Sequence, residues 1–139
     1  MNKSIVLALF LTAALFFLNA CDKAQQVINP YTGWDIAVTQ LEPAANPVSV
    51  NVSSIIFAAN VINAKGEDKT TEVQSLIAWG ASVVSVTGVT TPVNDKITFL
   101  LSGSRVSIGT GFRPQQGDQL IVAAGYAGMV ARSTVTFIN

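Results

Sequence analysis

The sequence contains no histidine, a single cysteine and few charges, since only 12% of its 139 residues are Asp, Glu, Lys or Arg. Histidine is the commonest acid–base residue and a frequent metal ligand, so its absence removes the usual centre of hydrolytic and metal-dependent catalysis. Eight basic residues balance eight acidic ones. The sequence therefore has no basic stripe of the kind that binds nucleic acid, and we predict no nucleic-acid partner.

Motifs for phosphate binding and nucleophilic catalysis are also missing. The glycine-containing segments 103–105 and 109–111 lack the Lys-Ser/Thr ending that grips phosphate. No G-x-S-x-G nucleophile elbow occurs in the chain. We interpret both glycine segments as turns and predict no catalytic residue, no cofactor and no enzymatic activity.

Carboxylates offer one alternative, a surface calcium site. Glu67 and Asp68 are adjacent, and Asp95 and Asp118 lie in other predicted turns. Calcium takes hard oxygen ligands from such loops, but only if the loops meet in space. No regular ligand spacing supports this site, and we predict no bound metal. Asn51-Val52-Ser53 matches a glycosylation acceptor, which we interpret as strand surface.

The one long apolar run lies at the N-terminus. A short region with Lys3 precedes Ile5–Leu18, which is free of charge and almost wholly apolar. A membrane-spanning helix needs about twenty apolar residues, so this run is too short. A positive start, a short apolar core and a small residue at the end are typical of a signal peptide. We predict a signal peptide over residues 1–20.

The end of this region, Leu18-Asn19-Ala20-Cys21, resembles the lipobox of bacterial lipoproteins. Leu18 and Ala20 fit the family pattern, whereas Asn19 departs from its usual small or β-branched residue. The resemblance implies cleavage between Ala20 and Cys21 and attachment of a diacylglyceryl group to Cys21, with palmitate-like chains.

Such an anchor would hold the protein on a membrane. Each buried methylene contributes about 0.8 kcal/mol, and two or three chains anchor far more firmly than one. Membrane lipid is therefore a predicted partner through acylated Cys21, in the bacterial cell envelope. Asp22 is a candidate sorting residue, because Asp at that place accompanies inner-membrane retention in enteric lipoproteins. Other bacteria sort differently, so both membranes stay open.

The segment 21–47 has little periodicity and three of the five prolines, and we interpret it as a tether. Tyr31 and Trp34 are large aromatic residues within it. They suit either the lipid–water interface or a cap over one end of the core. We favour the cap, because IAVTQ, which follows Trp34, alternates like a strand.

From Val48 onward, short strand patterns alternate with turns, which predicts an all-β sandwich of about seven strands over 48–139. Glu72–Trp79 competes as a short helix, and Trp79 is assigned to the core. The predicted strands are Val48–Val52, Ser54–Ile62, Val73–Trp79, Ser82–Gly88, Lys96–Leu101, Arg105–Ile108, Gln119–Tyr126 and Met129–Ile138.

Two segments of this region, Phe57–Gly88 and Gly117–Phe137, resemble the middle and the closing strand pair of bacterial immunoglobulin-like domains. In both, apolar strands meet at glycine turns, followed by Thr- and Val-rich segments. The resemblance implies an immunoglobulin-like sandwich without catalytic chemistry. Between Gly88 and Gly117 the chain is longer than the family pattern, so an extra strand or a long loop is expected around Thr90–Arg113.

Anchor and sandwich together predict an envelope lipoprotein that serves as a binding or structural module, such as a spacer, an adhesion surface or an assembly part. An envelope protein is then a second expected partner. A small inhibitor or exclusion lipoprotein that blocks another protein is the alternative. A lipoprotein enzyme is a third, which the missing histidine and motifs disfavour.

Overall fold

The computed structural model describes residues 29–139. The predicted signal peptide 1–20, the cleavage site at Ala20 and Cys21, and the sorting residue Asp22 lie outside the described residues. The chain divides into two compact units, Met1–Thr32 and Gly33–Asn139. In the first unit, the Thr32 amide donates to the Asn29 carbonyl at 3.1 Å and closes a turn. The second unit contains the strands given below.

Nine strands and very little helix make up the second unit. A four-residue helix, α1, spans Thr70–Val73, and single 3-10 turns cover Gln74–Leu76, Asn94–Lys96 and Leu101–Gly103. The strands are β1 (Asp35–Glu42), β2 (Val48–Ser49), β3 (Ser54–Ile62), β4 (Ala78–Val84), β5 (Thr90–Pro92), β6 (Ile97–Leu100), β7 (Arg105–Gly109), β8 (Gln119–Tyr126) and β9 (Met129–Ile138).

The strands form two sheets that pack as a sandwich. Sheet I has the order β1-β3-β7-β6, and sheet II has the order β2-β9-β8-β4-β5. The pairs are antiparallel except for β2, which runs parallel to β9. Sheet I corresponds to strands A, B, E and D of an immunoglobulin domain, and sheet II contains C, F and G with a further strand, β5, beside C. The predicted all-β, immunoglobulin-like sandwich is confirmed.

The core lies between the sheets because each long strand turns alternate side chains inward. In β3 every second residue from Ile55 to Val61 is buried, and in β8 every second residue from Leu120 to Tyr126. These two strands were the clearest apolar patterns in the sequence, and both have the predicted bounds. The largest fully buried side chains are Phe57, Phe137, Ile55, Ile108 and Leu120.

The N-terminal edge of the sandwich lies earlier than the predicted boundary at residue 48. β1 falls within the range 21–47 that we assigned to the tether, yet it pairs with β3 from Asp35↔Ile62 to Glu42↔Ile56. Ile36 is buried on this strand. The correction has a simple cause, because one short alternating pattern between prolines gives too little signal to separate an edge strand from a linker.

The alternating segment Val48–Val52 is a strand only over its first two residues. The chain then turns, with the Val52 amide donating to the Ser49 carbonyl at 3.1 Å. β2 belongs to sheet II and β3 to sheet I, so the chain crosses between layers here. This crossing interrupts a pattern that alone predicted a continuous strand.

The segment 72–79 is divided between the two conformations that the sequence allowed. Glu72 lies in α1, a 3-10 turn follows, and β4 begins at Ala78. The two strands predicted over Val73–Trp79 and Ser82–Gly88 are one strand, β4, which ends at Val84. Gly88, with a φ of 85°, lies in the turn that follows. The expected extra strand after it is β5, which pairs with β4.

Candidate interaction site

The strand edges of the two sheets differ in how they are protected. β2 has only two residues and follows Pro47, β5 contains Pro92, and the register of β1 shifts between Gln40 and Glu42. Very short strands, prolines and bulges discourage another chain from pairing with an edge. β6 contains no proline, no charged residue and no register shift. Among the described strands, β6 is therefore the edge with the least protection.

β6 carries a large exposed aromatic side chain on the side that faces the core. It pairs with β7, so that Ile97 is opposite Ile108 and Phe99 is opposite Val106. Opposed residues share a face of the sheet, and Ile108 and Val106 are fully buried. Ile97 packs against the core, but Phe99 is 62% exposed.

A groove of about 500 Å³ lies beside Phe99. Its walls are formed by Phe99, Ser102 and Gly103, and by Gln74, Ser75 and Ile77. Leu76 and Leu101, which neighbour these lining residues in sequence, are 66% and 63% exposed. An open strand edge and a cluster of exposed apolar side chains thus occur side by side. We call this combination the β6 groove.

The backbone next to the groove has a conformation that most residues avoid. Leu101, Ser102 and Gly103 have φ values of 42°, 54° and 97°. Two non-glycine residues in the left-handed region are strained, and such strain persists only where the surroundings enforce it. The turn holds Leu101 in its exposed position.

Trp79 holds this turn in place. Its indole Nε1 donates a hydrogen bond to the Gly103 carbonyl at 2.8 Å. A Cβ on Gly103 would lie 2.7 Å from the Gln74 carbonyl oxygen, so the turn packs closely on the neighbouring segment. Trp79 is partly buried against the core, as predicted. No sequence pattern predicted its hydrogen bond to the Gly103 carbonyl, because that contact joins residues that only the fold brings together.

The outer face of sheet I carries a cation near the β6 groove. Arg105 is opposite Leu100 in the β6–β7 pair and is exposed. Within residues 29–139 no carboxylate lies in ion-pair distance of Arg105. Asp68 lines the same surface pocket as Arg105 without forming an ion pair with it. Asp95, before the opposite end of β6, forms an ion pair with Lys96 at 2.8 Å, and the hydrogen bond from Lys96 lowers the pKa of Asp95.

A second pocket, of about 360 Å³, lies where the β4–β5 turn meets the loop before β8. Val86 and Val89 are exposed beside it. The carboxylate of Asp118 is buried there and accepts a hydrogen bond from the Gln115 amide at 2.9 Å. The buried carboxylate in this pocket thus stabilises its own loop.

The four carboxylates proposed as calcium ligands do not form a metal site in the described part of the chain. No group of three His, Cys, Asp or Glu side chains suitable for a metal occurs between residues 29 and 139. Asp68 instead accepts a hydrogen bond from the Thr70 amide at 2.8 Å. Hydrogen bonds from Thr70 lower the pKa of Asp68.

The predicted turn segments 103–105 and 109–111 connect or end strands. Thr110 is buried, and its hydroxyl donates to the Val52 carbonyl, which ties the end of β7 to the start of β3. Asn51 was assigned to strand surface but lies in an exposed turn, where its amide donates to the Ser49 hydroxyl at 3.2 Å.

Trp34 contacts the folded core at one end. Its ring lies 6.2 Å from that of Tyr126, at a tilt of 39°, and Tyr126 is buried on β8. This contact agrees with the capping interpretation of Trp34.

No family model matches the sequence, and no curated protein matches it. None of the helices in residues 29–139 is long and apolar enough to cross a membrane.

Proposed function

We propose that the protein is a bacterial envelope lipoprotein, anchored through acylated Cys21, whose immunoglobulin-like sandwich binds another envelope protein. The lipobox-like sequence at 18–21 supports the anchor. The β6 groove is the observation that carries the binding role, because an open strand edge beside exposed apolar side chains is a feature of protein-binding surfaces. The proposal assigns the protein no catalytic role.

The anchor is tested by expressing the full chain in a bacterial host that processes lipoproteins. We expect Cys21→Ser to abolish incorporation of labelled palmitate and either to release the protein from the membrane fraction or to leave an uncut precursor. The matched control is Asn19→Ala, which brings the lipobox closer to the family pattern and should keep normal labelling. Unchanged labelling and fractionation of Cys21→Ser would contradict the anchor.

The binding role is tested separately by cross-linking in intact cells. A photoreactive residue at Phe99 should give a defined cross-linked species, and the same residue at Thr91, exposed on β5, should not. If neither position cross-links to another protein, the binding role fails and a spacer role takes its place, whatever the result for Cys21.

A further inference from the structure

We infer that the β6 groove binds an extended segment of a partner protein, which adds to sheet I as a new edge strand next to β6. The segment alternates apolar with polar side chains and places an acidic residue near Arg105. This inference rests on the proposed binding function and specifies its partner. Strand addition of this kind takes affinity from backbone hydrogen bonds and specificity from alternate side chains.

The backbone of β6 supplies the first requirement. In an antiparallel pair, neighbouring residues alternate in whether they bond the partner strand. Half of the amide and carbonyl groups of Ile97–Leu100 are therefore directed away from β7, and no described strand lies on that side. The Ile97 amide already donates to the Asn94 carbonyl, so an added strand would pair with the remaining groups on this side.

The apolar half of the segment follows from the inward face of β6. Side chains of the added strand that share a face with Ile97 and Phe99 would lie against the groove. There they would cover Phe99, which lines the groove and is more than half exposed. Leu101, in the turn that follows β6, is exposed as well. Removing exposed apolar surface from water is favourable, so the partner residues that face the groove should be apolar.

The polar side chains of the partner segment follow from the residues on the outer face of sheet I. Side chains at the intervening positions would lie next to exposed Thr98 and to Leu100, beyond which is Arg105. Arg105 has no ion pair within residues 29–139. A carboxylate on the added strand would complement this cation, and arginine is well suited to bind one.

Charge also favours a different protein over a second copy of this chain. Self-pairing of two β6 strands would bring two exposed Arg105 side chains to the outer face of one joined sheet. The acidic residue next to β6 is Asp95, which is already bound to Lys96 at 2.8 Å. A second copy therefore supplies no free carboxylate from this edge.

The test uses the full chain in detergent and a fluorescent peptide of about eight residues, long enough to span the four residues of β6. In the peptide, valine alternates with threonine and aspartate. We expect saturable binding by fluorescence polarisation. Two further peptides carry N-methyl groups on either the valine amides or the polar-residue amides. One of them should bind about tenfold more weakly, because it loses hydrogen bonds to β6, while the other keeps most of its affinity.

Two protein variants locate the site. Phe99→Lys places a charge in the groove and should weaken binding about tenfold, as charged residues on an edge strand prevent pairing. Thr91→Lys on the β5 edge is the matched control and should bind normally. Arg105→Glu should reverse the preference, so that a peptide with lysine in place of aspartate binds better than the original.

Several results would overturn the inference. If the two N-methylated peptides bind with equal affinity, whether weakened or not, the peptide does not add to β6 as a strand. The same holds if no peptide binds at about 1 mM. A dimer of the full chain that dissociates on Phe99→Lys would identify a second copy as the occupant. In each case the anchor is judged separately: if Cys21→Ser loses palmitate labelling as expected, the proposed anchor stands even though the strand-addition inference fails.

Discussion

Glycine at position 103 combines a left-handed backbone conformation with a close approach of neighbouring backbone. Its φ of 97° belongs to the left-handed region, and an added Cβ would lie 2.7 Å from the Gln74 carbonyl oxygen. Gly128, in the turn between β8 and β9, has a similar φ of 84° but open space around it. The two glycines therefore separate the cost of backbone strain from the cost of a steric clash.

We expect Gly103→Ala to destabilise the protein by about 3 kcal/mol or more, since backbone strain of roughly 1–2 kcal/mol adds to a clash with backbone that cannot move aside. Gly128→Ala should cost only the strain. Urea unfolding of both variants measures the difference. Equal losses would mean that the Gln74 segment gives way and does not pack closely on the turn.

At the scale of single elements, β1 shows what makes a strand part of the core. Its pattern in the sequence is short and is bounded by Gly33 and Pro43, so local propensity leaves it among the tether residues. Pairing with β3 adds a hydrogen-bonded neighbour. Burial of Ile36 then contributes apolar contacts that no local pattern measures.

Ile36→Ala should therefore lower the free energy of unfolding by about 2–4 kcal/mol, the usual range for a buried isoleucine. Thr39→Ala, on an exposed position of the same strand, is the control and should change it by about 0.5 kcal/mol or less. Chemical denaturation gives both values. If Ile36→Ala unfolds like the parent protein, β1 is dispensable and the boundary at residue 48 stands.

At the scale of the whole molecule, the two sheets share one core. Residues from both sheets form one cluster of buried side chains, with Phe57 and Ile108 from sheet I and Leu120 and Phe137 from sheet II. Because each sheet covers the apolar face of the other, neither can stay folded alone in water. Such domains usually unfold in one cooperative step.

We expect the far-ultraviolet circular dichroism of the full chain in detergent to be dominated by strand, and its urea transition to coincide with that of tryptophan fluorescence. The fluorescence comes from Trp34, which lies against Tyr126, and from Trp79. The hydrogen bond of Trp79 to the Gly103 carbonyl makes its part of the signal report on contact between the layers. A fluorescence transition that precedes the loss of circular dichroism would instead show that the strained turn opens before the sheets separate.

Local patterns in the sequence were sufficient for much of the fold. The apolar patterns predicted β3, β8 and β9 with their observed bounds. β3 and β8 bury every second residue along their length, whereas β9 is buried at Val135 and Phe137 near its end. Glycine turns at Gly66 and Gly128 were equally readable, since both have positive φ. The sandwich class follows from such strands and turns repeated at short intervals.

The candidate site could not be found in this way. Sequence patterns mark Phe99 and Leu101 as apolar residues of a strand, and a strand of a sandwich is expected to bury them. The absence of charge and proline across Ile97–Leu101 was the one available signal for an unprotected edge. This absence indicates an unprotected edge only if β6 is already known to lie at the edge of its sheet.

The sequence by itself determined the sandwich class and the bounds of β3, β8 and β9, because side-chain alternation is a local property of an extended chain. Only the tertiary structure decided that β6 ends a sheet, that Phe99 stays exposed at the groove, and that Arg105 has no ion pair among the described residues. These features depend on which strands become neighbours, and neighbours are chosen by the packing of the whole core.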